Sequence, residues 1–186
     1  MRHSRSDHRV FTENLSDQLV RIDDAEAHHL LNVLRLKCGD AVELFDGTGT
    51  IASGTIESST RRDANVRVVS RHVQPPSDLA KVIVAAAPPK GERLRWMVEK
   101  LTEIGVDELV LLETKHSVVH PGETKLDKLR TNVISACKQS GRSRLMKLRG
   151  LLPLASLLTE FIRSDVQPRL IMAHPDPAAV SISASP

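Results

Sequence analysis

Residues 90–113 read KGERLRWMVEKLTEIGVDELVLLE, and this stretch decides the fold of the second half of the chain. Five apolar residues recur in it at helical spacing, with charged residues between them: Leu94, Met97, Val98, Leu101 and Ile104. We therefore predict an amphipathic helix that begins after the Lys-Gly turn at 90–91 and ends at Gly105. The apolar run over 107–113 predicts a buried strand directly after it.

A second apolar run, KVIVAAA at 81–87, precedes this helix and is typical of a strand covered on both faces of a parallel sheet. Strand, helix and strand in this order predict a βαβ unit, in which the charged helix crosses over a parallel sheet. Later residues continue the alternation with a helix over 124–139, a helix over 153–163 and a strand over 169–174. We therefore predict an open α/β sheet, whose ligands lie beyond the carboxyl ends of its strands.

Both later helices carry further signals. Thr124 and Asp127 have the spacing of a capping box. One side of the first of these helices is predicted to be apolar: Leu126, Leu129, Val133 and Cys137. In the second helix, Pro153 lies in the first turn and four residues are predicted to be buried: Leu154, Leu157, Leu158 and Phe161.

The first part of the chain is rich in turn-forming residues and ends in the linker QPPSD at 74–78. Five short apolar runs before it predict strands of a small antiparallel barrel, near Val10 and Val20 and over 41–45, 50–56 and 65–69. Asp24 is placed to cap one helix, which ends at Gly39. The predicted domains are therefore a barrel over 1–74 and an α/β domain over 79–186.

The run DGTGT at 46–50 has the glycine content of a phosphate-binding loop. It joins two strand-like runs and opens no helix, which the phosphate-binding motif requires. Asp-Gly between two strands favours a hairpin turn, and we interpret the run in that way.

Composition excludes several classes of protein. With 40% hydrophobic and 26% charged residues, the chain is typical of a soluble globular protein, and no apolar run is long enough to span a bilayer. The amino terminus has no apolar signal segment, so we expect a cytoplasmic protein without a membrane partner. Cys38 and Cys137 form no C-x-x-C pair, so we expect reduced thiols and no metal site.

Residues 138–149, KQSGRSRLMKLR, hold five basic residues and no acidic one although the net charge of the chain is only +3. Such a segment suits a phosphate backbone, and a solvated loop followed by an edge strand is the alternative. One Trp, three Phe and no Tyr do not supply a platform for base stacking. Any contact with nucleic acid is therefore predicted to depend on charge and shape.

Four stretches together resemble the RsmE-type methyltransferases of the SPOUT superfamily, which methylate N3 of a uridine in 16S ribosomal RNA of the small subunit. They are HHLLNVLRLKCGD at 28–40 followed by LFDGTG, KGERLRWMVEKLTEIGV at 90–106, HSVV at 116–119, and ACKQSGRSR at 136–144. The resemblance implies a PUA-like β-barrel and a SPOUT-type parallel α/β sheet. It also implies S-adenosyl-L-methionine (SAM) as methyl donor, 16S rRNA as substrate, and a homodimer at full length.

The chain departs from this family at three places. Lys115-His116-Ser117 stands where the family has an Arg-containing Glu-Arg-Ser, and Lys138 stands where it has Glu. The family's closing Gly-Pro-Glu-Gly-Gly loop and Leu-Gly-x-x-Ile-Leu-Arg-x-Glu-Thr-Ala run, which tie the knot and bind the cofactor, do not occur in these residues. We therefore expect an incomplete knot and a fragment or frameshifted reading of a longer enzyme. A non-catalytic RNA-binding remnant is the alternative function, and an enzyme acting on a phosphorylated small molecule is a third.

Methylation of uracil N3 requires alignment of donor and acceptor, and N3 must lose its proton. A guanidinium would stabilise the resulting anion, so Arg142 is the first catalytic candidate, with Gln139 as a hydrogen-bonding positioner. Phosphate binding is the alternative for Arg142. A surface position at a helix end is the alternative for Gln139.

Further candidates come from the stretches that carry the resemblance. Five residues are predicted to bind RNA: Arg35, His28, Lys90, Lys138 and Arg144. An exposed turn is the alternative for Lys90. His174 and Pro175 border the cofactor pocket in the resembling family. Glu103 is predicted to pair with Lys100. His28 and His29 would point about 100° apart on a helix, so they do not both face one metal, and a packing or capping role is the alternative for at least one of them.

Overall fold

The structure is a computed structural model that describes residues 8–22, 24–60, 62–77, 79–115, 117, 119, 121–164 and 168–173. The chain divides into two compact units, Met1–Leu152 and Pro153–Pro186, and each is described by itself. The first unit holds two sheets. The predicted division into domains over 1–74 and 79–186 stays a prediction.

The first sheet has five strands in the order β1-β3-β4-β5-β2. They are β1 (Arg9–Phe11), β2 (Leu19–Ile22), β3 (Ala41–Phe45), β4 (Thr50–Ser59) and β5 (Ala64–Val73). All five were predicted, but the sheet is mixed rather than antiparallel, because β1 pairs with β3 in parallel. The chain between these strands forms β2 and a helix before it returns, and this crossover lets β3 run in the same direction as β1.

The helix in this crossover is shorter than predicted. α1 (Asp24–His28) continues as a π-helical turn over His29–Val33 and ends there, not at Gly39. Arg35 follows with a φ of 58°, a left-handed conformation that stops the helix. The side chain of Asp24 lies outside the described residues, so its capping role stays a prediction.

Strand β3 contributes side chains to two hydrophobic cores, one on each face of the first sheet. Val42 and Leu44 point to one face and join the core of the curled sheet. Phe45 points to the other face and packs in a second core with residues of the α/β part, such as Leu94 and Leu109. The end of β3 is therefore common to both layers.

The second sheet has the order β6-β7-β8, formed by β6 (Ile83–Ala86), β7 (Glu108–Glu113) and β8 (Lys147–Pro153). Strands β6 and β7 are parallel and are joined by α2 (Glu92–Glu103), which confirms the βαβ unit. Strand β7 is buried as predicted. β6 is not covered on both faces, since Ile83 and Ala85 are exposed and β7 flanks it on one side only among the described residues.

Helices α2 and α3 cover this sheet with the predicted residues, with two corrections. Ile104 is exposed because α2 ends at Glu103, and the buried side of α2 instead includes Thr102. Helix α3 (Glu123–Ser140) buries Leu129, Val133 and Cys137. The capping box is wrong, because Gly122 occupies the N-cap and no side chain among the described residues caps the helix.

The second unit contains α4 (Leu154–Ile162), which confirms the predicted helix. Leu157 is buried, but Leu154 and Leu158 are exposed, so the predicted apolar face is mostly uncovered. The strand over 169–174 is wrong where it is described, because residues 169–173 are exposed and irregular. A strand needs a partner for its backbone groups, and the described residues supply none there. None of the described helices combines the length and apolar character that crossing a membrane demands.

Candidate functional site

Residues 137–146, which we call the connector, comprise the last turn of α3 and the segment that joins it to β8. Four of the predicted site residues lie in it: Lys138, Gln139, Arg142 and Arg144. The five basic residues over 138–149 suggested a segment suited to a phosphate backbone. The structure places the connector between the end of α2 and the curled sheet, in contact with both.

Arg142 binds the carboxyl end of α2. Its Nη1 donates hydrogen bonds to the carbonyl oxygens of Thr102, at 3.1 Å, and Val106, at 2.6 Å. Its Nη2 lies 3.7 Å from Oδ1 of Asp107, and 16% of the side chain is exposed. Carbonyl groups at the end of a helix lack partners within the helix and attract cations. Arg142 therefore stabilises the turn between α2 and β7, while its catalytic role stays a prediction.

Gln139 has different surroundings. It is exposed and lines a polar groove of about 160 Å³ between α2 and α3. Glu103 lines the same groove and binds Lys100 at 2.8 Å, which confirms the predicted pair. Gln139 and Arg142 are only three residues apart in sequence, but their surroundings differ. The role of Gln139 as positioner stays a prediction.

Lys138 forms an ion pair with α1 of the curled-sheet part. Its Nζ lies 2.8 and 2.9 Å from the two carboxylate oxygens of Glu26, and 18% of the Lys138 side chain is exposed. Further along, Lys147 and Arg149 both lie within 4 Å of Glu108. Acidic residues distant in sequence therefore compensate much of the charge that suggested a phosphate-binding segment, and the RNA contact of Lys138 stays a prediction.

Arg144 docks onto the turn between β3 and β4. Its guanidinium donates to the carbonyl oxygens of Thr48 and of Gln74, the latter at 2.7 Å. The next amide, of Leu145, donates to the carbonyl of Gly47 at 2.9 Å. The run DGTGT is a hairpin turn, as predicted, since β3 and β4 pair antiparallel on either side of it. The connector packs against this turn through Arg144 and Leu145.

Close approach of Arg144 to this turn depends on Gly49. A Cβ atom on Gly49 would lie 2.5 Å from Cζ of Arg144, well inside contact distance. The φ of Gly49 is also 112°, which side chains rarely allow. Glycine is therefore required here for docking and for the turn.

Asp46 holds the turn in shape from its first position. Oδ1 accepts hydrogen bonds from the amides of Thr48, at 2.7 Å, and Thr50, at 3.0 Å, while Oδ2 accepts from the hydroxyl of Thr48 at 2.7 Å. Partial burial acts to raise the pKa of Asp46, but the hydrogen bonds from Thr50 and Thr48 outweigh it and lower the pKa below its ordinary value. The carboxylate therefore stays ionised while it organises the turn.

Arg9 is the residue that sequence reasoning missed. Its Nε donates to Oε1 of Glu43 at 2.6 Å, and its Nη1 donates to the carbonyls of Cys137, at 2.8 Å, and Arg142, at 3.3 Å. The guanidinium also lies 4.7 Å from the ring centroid of Phe45. A basic residue inside the apolar run RVF was the available signal, since a buried arginine needs partners.

The other predicted RNA-binding residues are exposed. His28 is the last residue of α1, Arg35 follows the π-helical turn, and Lys90 lies between β6 and α2, near the carboxyl end of β6. Exposure leaves all three accessible to phosphate. Their binding roles stay predictions.

The candidate cofactor residues, His174 and Pro175, lie outside the described residues. A second cavity, of about 360 Å³, is lined by residues of α3 and of 145–148, and neither it nor the polar groove opens at the carboxyl ends of β6 and β7. Lys90 and Gly91 beyond β6, and Thr114 and Lys115 beyond β7, are exposed. The described residues at these strand ends thus do not by themselves form an enclosed pocket.

Comparison with known families identifies both parts of the chain. Residues 75–183 match the family described as an RNA methyltransferase domain, and residues 22–69 match the family described as an RNA methyltransferase PUA domain. The parallel sheet lies within the first match, and β3, β4 and the first part of β5 of the curled sheet lie within the second. The fold is therefore the predicted combination of a PUA-like barrel and a SPOUT-type α/β sheet.

Individual proteins agree with these matches. The chain is 31% identical over 149 residues to the ribosomal RNA small subunit methyltransferase E of Mycobacterium bovis, covering 78% of this chain and 56% of that protein. The structure titled a probable rRNA-methyltransferase from Porphyromonas gingivalis has a TM-score of 0.72 and 33% identity, covering 81% of this chain and 63% of that one. A Legionella pneumophila protein solved with bound SAM has a TM-score of 0.75 and 26% identity, with 82% and 65% covered. The chain thus spans about half the length of the curated relative.

Proposed function

Because the chain belongs to the RNA methyltransferase family, we propose that it acts in the SAM-dependent methylation of uridine N3 in 16S ribosomal RNA. The observation that carries the proposal is the match of residues 75–183 to the methyltransferase domain, preceded by the PUA match. The relatives named for small-subunit rRNA supply the substrate class. The Legionella protein with bound SAM supplies the methyl donor.

RNA would bind to exposed basic residues on both parts of the first unit. Arg35 and His28 lie on the curled-sheet part and Lys90 lies by the parallel sheet, and none of the three is buried. Lysine and arginine side chains on phosphates contribute affinity and register without reading the base. We include Lys138 and Arg144 among the RNA contacts only as second choices, since both already bind protein groups.

Methyl transfer to N3 passes through a uracil that has lost its proton. Arg142 is the proposed stabiliser of that negative charge, with Gln139 as the positioner of the base. Nη1 of Arg142 uses both of its protons on the carbonyls of Thr102 and Val106, and Nη2 lies 3.7 Å from Oδ1 of Asp107, so Nε is the first group proposed to meet substrate. Because the fixed Nη1 holds the guanidinium rigidly, substrate binding would cost little side-chain entropy.

SAM would supply the methyl group when it is bound. The exposed strand ends described above do not form an enclosed site for it, so the roles proposed for the described residues are RNA binding and charge stabilisation. The proposed partners are the small ribosomal subunit or its free 16S rRNA and, in the full-length family, a second copy of the chain. Since the proposed substrate is ribosomal RNA, we also propose a cytoplasmic location.

The test is transfer of a labelled methyl group from SAM to 16S rRNA by the purified protein, with the product nucleoside identified by mass spectrometry. We expect 3-methyluridine, and loss of most product with Arg142→Met. A product methylated elsewhere, or none from either rRNA or the small subunit, contradicts the proposal.

Binding of RNA without catalysis is the second candidate, and it is favoured by the exposed residues at the carboxyl ends of β6 and β7, which do not by themselves form an enclosed pocket. Calorimetry separates the two functions, because tight SAM binding to this chain excludes a remnant that has lost its cofactor site. For the RNA contact, Arg35→Ala should lower the slope of log affinity against log salt by about 0.7–0.9. Arg62→Ala, an exposed arginine in the turn between β4 and β5, is the matched control.

A further inference from the structure

We propose that Arg9 and Arg144 act as a reciprocal clamp, which fixes the curled sheet against the connector and so positions bound RNA relative to the residues that act on it. The expected effect on RNA methylation rests on the proposed function, whereas the contacts made by the two arginines do not depend on it. Both arginines are positioning residues rather than catalytic ones, because they contact protein groups and not the reacting atoms.

Arg9 reaches from the curled sheet to the connector. It starts in β1, pairs with Glu43 of β3, and donates to the carbonyls of Cys137 and Arg142. Only 7% of its side chain is exposed. A single guanidinium thus joins two strands of the sheet to the first and middle residues of the connector.

Arg144 reaches in the opposite direction. It starts in the connector and donates to the carbonyls of Thr48, in the β3–β4 turn, and of Gln74, after β5. Ser143 adds a hydroxyl hydrogen bond of 2.5 Å to the side chain of Gln74. The connector is therefore held at both of its ends by contacts that cross between the two parts.

Arginine suits this role for a geometric reason. Its planar fork presents five N–H donors in fixed directions, so one side chain fixes several acceptors at once, whereas lysine supplies a rotatable point charge. Nη2 of Arg9 and Nε of Arg144 are buried and find no hydrogen-bond partner among the described residues. Buried donors without partners destabilise the folded state. The two arginines are therefore better explained by the orientation they impose on the curled sheet and the connector than by a gain in folding stability.

The clamp connects the two groups of proposed functional residues. Arg35 and His28 belong to the curled-sheet part, whereas Gln139 and Arg142 lie in the connector. A shift of about 1 Å between groups that align a reaction costs on the order of 100-fold in rate. A loosened clamp should therefore lower kcat more than it raises KM for RNA.

The decisive experiment measures, in the absence of RNA, how firmly the curled-sheet part is held relative to the α/β part. Spin labels on the native exposed Cys38 and on Lys128→Cys, an exposed position of α3, report the distance between the two parts by double electron–electron resonance. Cys137 is buried and should not be labelled. We expect a narrow distance distribution for the reference protein and a broader one for Arg9→Met and for Arg144→Met.

Two variants control the result. Arg67→Met removes an arginine of β5 that binds Glu57 within the same sheet, and it should leave the distribution narrow. Arg9→Lys, which keeps charge and most of the volume, should fold and still broaden the distribution. Unchanged distributions in folded Arg9→Lys and Arg144→Met overturn the clamp.

RNA measurements separate the clamp from the proposed function. If Arg144 is a clamp residue, Arg144→Met leaves the salt slope of 16S rRNA binding unchanged and lowers kcat. If it binds phosphate, the slope falls by about 0.7–0.9, and the clamp role of Arg144 is wrong. A reference protein that binds no RNA contradicts the proposed function, whereas the distance measurement still decides the clamp.

Discussion

Replacing Gly49 by alanine tests the docking of the connector onto the β3–β4 turn. Two penalties apply to this substitution. The φ of 112° is unfavourable for alanine, and the new Cβ would lie 2.5 Å from Cζ and Nη2 of Arg144. The guanidinium must therefore move away from the carbonyls of Thr48 and Gln74, to which it donates.

The two penalties are of similar size. A residue forced into a sparsely populated backbone region costs about 1–3 kcal/mol. Loss of two hydrogen bonds from a partly exposed guanidinium adds about 1 kcal/mol each. The expected loss of unfolding free energy is thus about 3–5 kcal/mol.

Gly39→Ala is the matched control, because Gly39 has a φ of 94° but nothing lies within 4 Å of its would-be Cβ. This control carries the backbone penalty alone, so Gly49→Ala should be less stable than Gly39→Ala by about 2 kcal/mol. At roughly 2–4 °C per kcal/mol for a chain of this size, the two melting temperatures should differ by roughly 4–8 °C. Urea unfolding followed by far-ultraviolet circular dichroism measures the same difference.

A double variant isolates the contact itself. In an Arg144→Ala background the clash is absent, so the cost of Gly49→Ala should fall to that of Gly39→Ala. Equal stability of the two single glycine variants would refute the close approach of Arg144. So would a cost of Gly49→Ala that is the same in both backgrounds.

Three further changes have defined outcomes. Glu26→Lys places two cations together and should cost about 1 kcal/mol or more, and the double variant with Lys138→Glu should regain most of it in urea unfolding; no recovery would mean that the pair does not form. Because folding lowers the pKa of Asp46, its carboxylate stabilises the fold above the unfolded pKa, and this contribution is lost as pH falls through the folded pKa. Asp46→Asn should therefore be less stable than the reference protein at pH 7, with a difference that shrinks below pH 3.8; a difference independent of pH would contradict this. Leu109→Ala, at a fully buried position of β7, should lose about 2–5 kcal/mol by the same assay, and a loss under about 1 kcal/mol would contradict its place in the core.

Periodicity predicted most of the local structure correctly. The apolar stripe of α2 and the uninterrupted run of β7 each imply one kind of burial, and both elements formed where expected. Their order then fixed the parallel pairing of β6 with β7, because a right-handed crossover has few alternatives. Apolar periodicity therefore predicts an element well when the element that packs against it is close in sequence.

Features that depend on distant residues were missed. The apolar run at 169–173 suggested a strand, but a strand also requires a partner, which its own sequence does not specify. Arg9 shows the same limit, because its acceptors on Cys137 and Arg142 are 128 and 133 residues away. A basic residue in the apolar run RVF indicates that Arg9 needs partners, but local composition does not identify them.

The basic connector shows why a run of like charges overstates the free charge of a folded surface. Sequence neighbours of Arg142 and Lys138 include no acid, yet folding brings Asp107 and Glu26 to them from elsewhere in the chain. Affinity for a phosphate backbone depends on cations that can replace condensed counterions, and a cation already paired with carboxylate or carbonyl groups releases fewer of them. Exposed residues in turns, such as Arg35 and Lys90, should therefore contribute more to RNA affinity than the connector. The connector's arginines then matter through the geometry they impose, and the sequence run that first suggested an RNA-binding strip is better understood as the joint between the two parts.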